Sequence, residues 1–163
     1  MEQAHFYWRP VNLAYSGYHN LDKHSRTEFI FNHFEVNQGI CSKTHLIRSL
    51  HNYYAQHEPA VKENYGTFDS TPTTFVVAKA ADEREVHAFL QRFREIAAGG
   101  SRFERVPVKH CKQNMWVCKP ASLNQGKGIE IFKQSKEITD FVFGKKDSLC
   151  VVQKYIEKPL LYK

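Results

Sequence analysis

No apolar run in the sequence approaches the roughly 18 residues that a membrane-spanning helix needs. The opening residues, Met1 to His5, carry neither the basic start nor the apolar stretch of a secretory signal. Cysteine is sparse: Cys41, Cys111, Cys118 and Cys150 include no CxxC pair, and Cys111 and Cys118 stand seven apart. That spacing is not a zinc pattern, and without a secretory signal it is not a disulfide framework. Nine histidines are present, but Cys41 and His45, or His19 and His24, have no third ligand arranged nearby. GxSxG, HExxH and GxGxxG are all missing. Six prolines and eight glycines exclude collagen-like and low-complexity classes. These absences predict a soluble globular protein of the cytosol with structural rather than catalytic thiols.

What is present is a chain of 163 residues and 19.0 kDa that is 42% apolar, with 12 Phe, 8 Tyr and 2 Trp. A chain of this size buries roughly 68–70% of its unfolded surface, enough for a true core. Its charge is uneven. Residues 1–100 hold 10 Lys/Arg and 11 Asp/Glu, whereas residues 101–163 hold 13 and 6, a net of +7. A basic third suits an anionic partner such as a nucleotide phosphate, an acidic peptide or nucleic acid, unless it is a merely solvated face.

Local patterns predict an ordered series of elements. Phe29–Phe34 reads as a strand, Gly39 breaks the chain, and Ser42 caps a helix from Lys43 to Tyr54 whose apolar face is Leu46, Ile47, Leu50 and Tyr54. Lys43 and Arg48 fall off that face. Thr73–Ala78 is a buried strand. Asp82 to Glu85 opens an amphipathic helix through Val86, Phe89, Leu90, Phe93 and Ile96, ended by Gly99-Gly100. Strands follow at Met115–Cys118, Gly128–Phe132 and Leu149–Gln153, with a helix at Lys133–Phe143. This order gives an α/β class with α+β character and a boundary near Gly99–Arg105, separating residues 1–100 from 101–163.

Two stretches carry chemistry. Asn114–Ile129 delivers Lys119 at the end of a strand, then a polar loop with Gln125, Gly126, Lys127 and Gly128, then a second strand. Glycines let backbone N–H groups approach a phosphate, and lysines place charge on its oxygens. The loop is not a Walker A motif, since Ala121 occupies the first glycine position and Gly128 replaces the Ser/Thr. An ordinary hairpin with basic residues is the alternative. Val151–Leu161 leads a buried strand into Gln153, Lys154, Tyr155 and Ile156, where backbone groups beside an apolar slot could hold adenine. A core strand followed by a turn is the competing explanation.

Together the two stretches resemble the tubulin–tyrosine ligase-like family, amino-acid ligases with an ATP-grasp fold. The resemblance rests on Trp116 through Lys119-Pro120, on Gly126-Lys-Gly-Ile129, and on Gln153-Lys-Tyr-Ile-Glu157 followed by Pro159-Leu-Leu161. It extends to Phe31-Asn-His-Phe34, Lys43–Leu50 and Pro72-Thr-Thr-Phe75. It implies ATP and Mg2+ as cofactors, Lys119 on the phosphates, Gln125 to Gly128 as a loop closing over them, and Gln153 to Ile156 as the adenine hinge. It also implies a reaction through an acyl phosphate. The implied partner is tubulin or another acidic protein tail, in the cytoplasm, the cytoskeleton or a cilium, with no membrane.

The same resemblance makes the chain look like the amino-terminal part of a ligase. The family's magnesium ligands come later than Leu160-Leu-Tyr-Lys163, and Glu130 and Glu157 are the nearest acids to these motifs. The chain is thus expected to be inactive alone, and the N-terminal α/β lobe to be followed by an incomplete ATP-grasp domain. Val151–Gln153 is expected to form an unpaired apolar edge, with residues 101–163 less stable than 1–100. A non-catalytic module binding tubulin or nucleotide is the alternative. A nucleic-acid binder using Trp116 and Phe103 lacks a stacking motif.

Overall fold

The computed structural model describes residues 6–7, 30–31, 38–56, 71–78, 83–99, 113–144, 149–157, 159 and 161. In chain order the elements are β1 (Phe6–Tyr7), β2 (Ile30–Phe31), α1 (Gln38–Cys41), α2 (Lys43–Gln56) and β3 (Thr74–Val77). They continue as α3 (Glu83–Ala97), β4 (Trp116–Pro120), β5 (Glu130–Phe132), α4 (Ser135–Gly144) and β6 (Cys150–Lys154). β1 and β2 form a two-stranded parallel ladder.

The main sheet is antiparallel, in the order β3-β6-β4-β5. The last strand in sequence is therefore an interior one. The expected unpaired edge at Val151–Gln153 is corrected here: Val151 faces Val76 on one side and Lys119 on the other. The edges are β3 and β5. β3 and β4 run in the same direction with β6 between them, because each is antiparallel to it. The sheet thus takes one strand from before residue 100 and three from after it.

Strand alternation sorts the side chains onto two faces. One face carries Phe75, Val77, Trp116, Cys118, Cys150 and Val152, all within the buried core. α3 adds Phe89 and Ile96, and α4 adds Ile138 and Val142. Trp116 is fully buried at the centre, edge-on to Phe89 at 5.2 Å and stacked with Phe93 at 6.4 Å. Its indole N–H donates to Asn114 Oδ1 at 2.8 Å, and Asn114 Nδ2 donates to the Phe93 carbonyl at 3.0 Å. The ring's one polar atom is satisfied in the core.

The helices follow their patterns, with two corrections. Gly39 does not break the chain but lies within the single turn of α1, and the bend falls at Ser42. On α2, Ile47 is buried and Leu50 and Tyr54 are half-buried, but Leu46 is exposed. The Ser42 carbonyl accepts the Leu46 N–H at 2.9 Å, the first bond of α2. α3 begins on Glu83 and Glu85 and ends at Gly99, whose φ of +75° and bond to the Ile96 carbonyl form a left-handed cap.

Candidate nucleotide site

The opposite sheet face carries Thr74, Val76, Val117, Lys119, Val151 and Gln153. Thr74 stands directly across from Gln153, and Lys119 lies one diagonal step away on β4. The three side chains form a relay. Thr74 Oγ1 donates to the Pro72 carbonyl at 2.6 Å. Its oxygen can then only accept, so Gln153 Nε2 donates to it at 2.9 Å. That fixes the amide, turning Gln153 Oε1 toward Lys119 Nζ, which donates at 2.7 Å. Burial, then the charge of Lys43, holds the Lys119 ammonium below the ordinary lysine value.

Lys43 arrives from the first turn of α2. Its Nζ donates to the Leu123 carbonyl at 2.5 Å and to the Pro120 carbonyl at 3.3 Å. It bridges 77 positions to Pro120, and nothing in its local helical pattern signals that partner. The helical pattern puts Lys43 off the apolar face; the structure brings it to the loop and to Lys119.

The β4–β5 loop is exposed and tightly turned. Gln125 and Gly126 both have positive φ, +53° and +77°, and Lys127 N–H donates to the Asn124 carbonyl at 3.0 Å. Two positive φ values at the central positions mark a type I′ turn. Gly128, at φ +67°, sits where a Cβ would lie 3.0 Å from Leu123 Cδ1 and 3.3 Å from Pro120 Cγ. Lys127 projects from the loop between these glycines.

At the end of β6 the roles divide. Lys154 N–H donates to the Thr73 carbonyl and Tyr155 N–H to the Met115 carbonyl, at 2.8 and 2.9 Å. Those two backbone donors are consumed by the sheet. The Lys154 side chain, 1% exposed, turns to Glu157 Oε1 at 2.5 Å. Tyr155 and Ile156 are exposed, at 37% and 47%. Burial alone would raise the Glu157 pKa, but hydrogen bonds from Lys154, Gln113 N–H and Met115 N–H, with the charge of Lys154, hold it below the ordinary carboxylate value.

Among the described residues, no group of three or more His, Cys, Asp or Glu side chains could hold a metal ion. Glu130 is exposed on β5 and Glu157 is engaged by Lys154, so these two acids do not fit a magnesium ion. Cys118 and Cys150 are fully buried, and burial, with the neighbouring Cys150 and Glu130, pushes the Cys118 thiol up to about 12. Such thiols are inert. Cys41 is exposed, and Cys111 lies outside the described residues.

A strand-end lysine, a second lysine reaching the same loop, and a glycine turn gather at one basic end of the sheet. The model of the tubulin-tyrosine ligase family matches residues 20–163, and the chain belongs to that family. It is 34% identical over 109 residues to the human probable tubulin polyglutamylase TTLL2, covering 66% of this chain and 15% of that protein. The mouse protein of that name aligns over 99% of this chain and 24% of its own length, at 28% identity. Tubulin glycylase 3B of Tetrahymena thermophila is 45% identical over 60 residues, 36% of this chain and 5% of that protein. The chain spans about a quarter or less of these relatives.

Proposed function

We propose that the chain carries the nucleotide-binding side of an ATP-grasp ligase that joins amino acids to tubulin by a polyglutamylase or glycylase reaction. The observation that carries the reading is the 2.7 Å contact between Lys119 and Gln153. It joins the expected phosphate lysine to the expected adenine hinge on one sheet face. In this reading Lys119 and Lys127 meet phosphoryl oxygens, and Gln125, Gly126 and Gly128 shape the loop above them. The hinge is Gln153 to Ile156. Since the N–H groups of Lys154 and Tyr155 are used in the sheet, the donor toward adenine is the Ile156 N–H.

The reaction implied by the family begins when a substrate carboxylate oxygen attacks the γ-phosphorus of ATP. ADP departs and an acyl phosphate remains. The amine of the incoming amino acid then attacks the acyl carbon, phosphate leaves, and the amine proton passes to solvent or base. Lys119 and Lys127 would offset charge on the transferring phosphoryl group. The acids among the described residues do not fit a magnesium ion. The basic balance of residues 101–163 suits an acidic tubulin tail, and microtubules are the location that follows.

Calorimetric titration with ATP tests the reading. Binding by the native chain and its loss in Lys119→Met are expected, with no product from ATP, tubulin and free glutamate or glycine. Absence of ATP binding by the native chain would overturn the nucleotide reading. Product formation would overturn the expected inactivity of this chain alone.

A further inference from the structure

The turn after β6 is built on a buried ion pair. Lys154 Nζ and Glu157 Oε1 are 2.5 Å apart, and the two side chains are 0% and 2% exposed. Taking two charges out of water is costly, and a plain surface turn does not require it. Glu157 also does more than neutralise its partner. Its Oε1 accepts the Met115 N–H at 3.4 Å, and its Oε2 accepts the Gln113 N–H at 3.3 Å. One carboxylate thus ties together the end of β6, the turn after it and the lead-in to β4. The Tyr155 N–H bond to the Met115 carbonyl closes the same junction. Only Tyr155 and Ile156 lie between the two anchors.

We propose that Glu157 is a positioning residue: its buried carboxylate, held by Lys154, Gln113 and Met115, sets the backbone of Tyr155–Ile156 to receive the edge of a purine ring. The proposal rests on the nucleotide reading above and adds the group that shapes its base-binding end. The chemistry calls for a carboxylate. Two oxygens accept from an ammonium and two separate amides, whereas a glutamine would offer one oxygen and turn an N–H2 toward a backbone N–H.

The test uses the full 163-residue chain and the variant Glu157→Gln. Amide hydrogen exchange is followed at Tyr155, and binding of ATP is compared with binding of inorganic triphosphate, which has no base. The variant is expected to exchange the Tyr155 amide about tenfold faster and to bind ATP about tenfold more weakly, the scale of one lost charge-assisted hydrogen bond. Triphosphate affinity, carried by Lys119 and Lys127, stays level. Equal loss of both ligands, or unchanged exchange at Tyr155, would overturn the proposal. Faster Tyr155 exchange in a chain whose native form binds no ATP would leave the clamp standing but remove the purine, which overturns the nucleotide reading instead. If Glu157→Gln does not fold, the double variant Lys154→Met/Glu157→Gln removes both buried charges. It still lacks the second amide acceptor, so the same split between ATP and triphosphate is expected of it.

Discussion

Lys119 keeps its proton less firmly than a free lysine, through burial first and Lys43 second. A phosphate held by the ammonium form binds fully at pH values well below that lowered pKa and weakens as pH rises through it. ATP affinity is therefore expected to decline as pH rises, at a pH below the free-lysine value of about 10.4. Lys119→Arg should flatten the profile, because a guanidinium does not titrate there. Titrations across this range check it; a native profile no steeper than that of the arginine variant would remove Lys119 from the phosphates. Gly128 offers a second check. Alanine there meets both a left-handed φ and a contact with the Pro120 ring, so a loss of about 1–2 kcal/mol is expected. Gly126 has no atom within 4 Å of an added Cβ and should cost less. Denaturant melts of the two variants compare them directly.

Among the elements, the turn closing β6 has a defined acid limit. The folded pKa of Glu157 is depressed, so its contribution is present above the unfolded carboxylate value of about 4.3 and is lost as pH falls through the folded one. The native chain should lose stability through this range more steeply than Glu157→Gln; parallel acid limbs in thermal melts would contradict it. Local pattern made most elements legible. Val86 to Ile96 at helical spacing, and the apolar runs at Thr73–Ala78 and Leu149–Gln153, became α3, β3 and β6. The places of Lys119 near a strand end and of the glycine turn after it were legible, because strand ends and glycines punctuate the sequence. Strand order was not, since apolar runs do not say which neighbour they pair with. Lys43 and Thr74 do not read as site residues for the same reason. Their partners lie 77 and 79 residues away, and only the tertiary fold brings them together.

At the scale of the whole molecule, β6 joins early and late parts of the chain. β3, β6 and β4 are hydrogen-bonded in series, so their amides are expected to share one level of exchange protection although β3 precedes residue 100 and the other two follow it. β3 exchanging well ahead of β4 would instead mean that the first hundred residues open separately. Central placement of β6 also governs how the protein is made. Synthesis proceeds at roughly 5–20 residues per second, so β3 leaves the ribosome several seconds before the strand that pairs with it. During that interval Phe75, Val76 and Val77 have no ladder to join. Closing a loop of this length is slow relative to local helix formation, and α3 can form first. The nascent protein therefore exposes β3 without its ladder partner until β6 has emerged, and Phe75, Val76 and Val77 are the apolar surface open to chaperones in that interval.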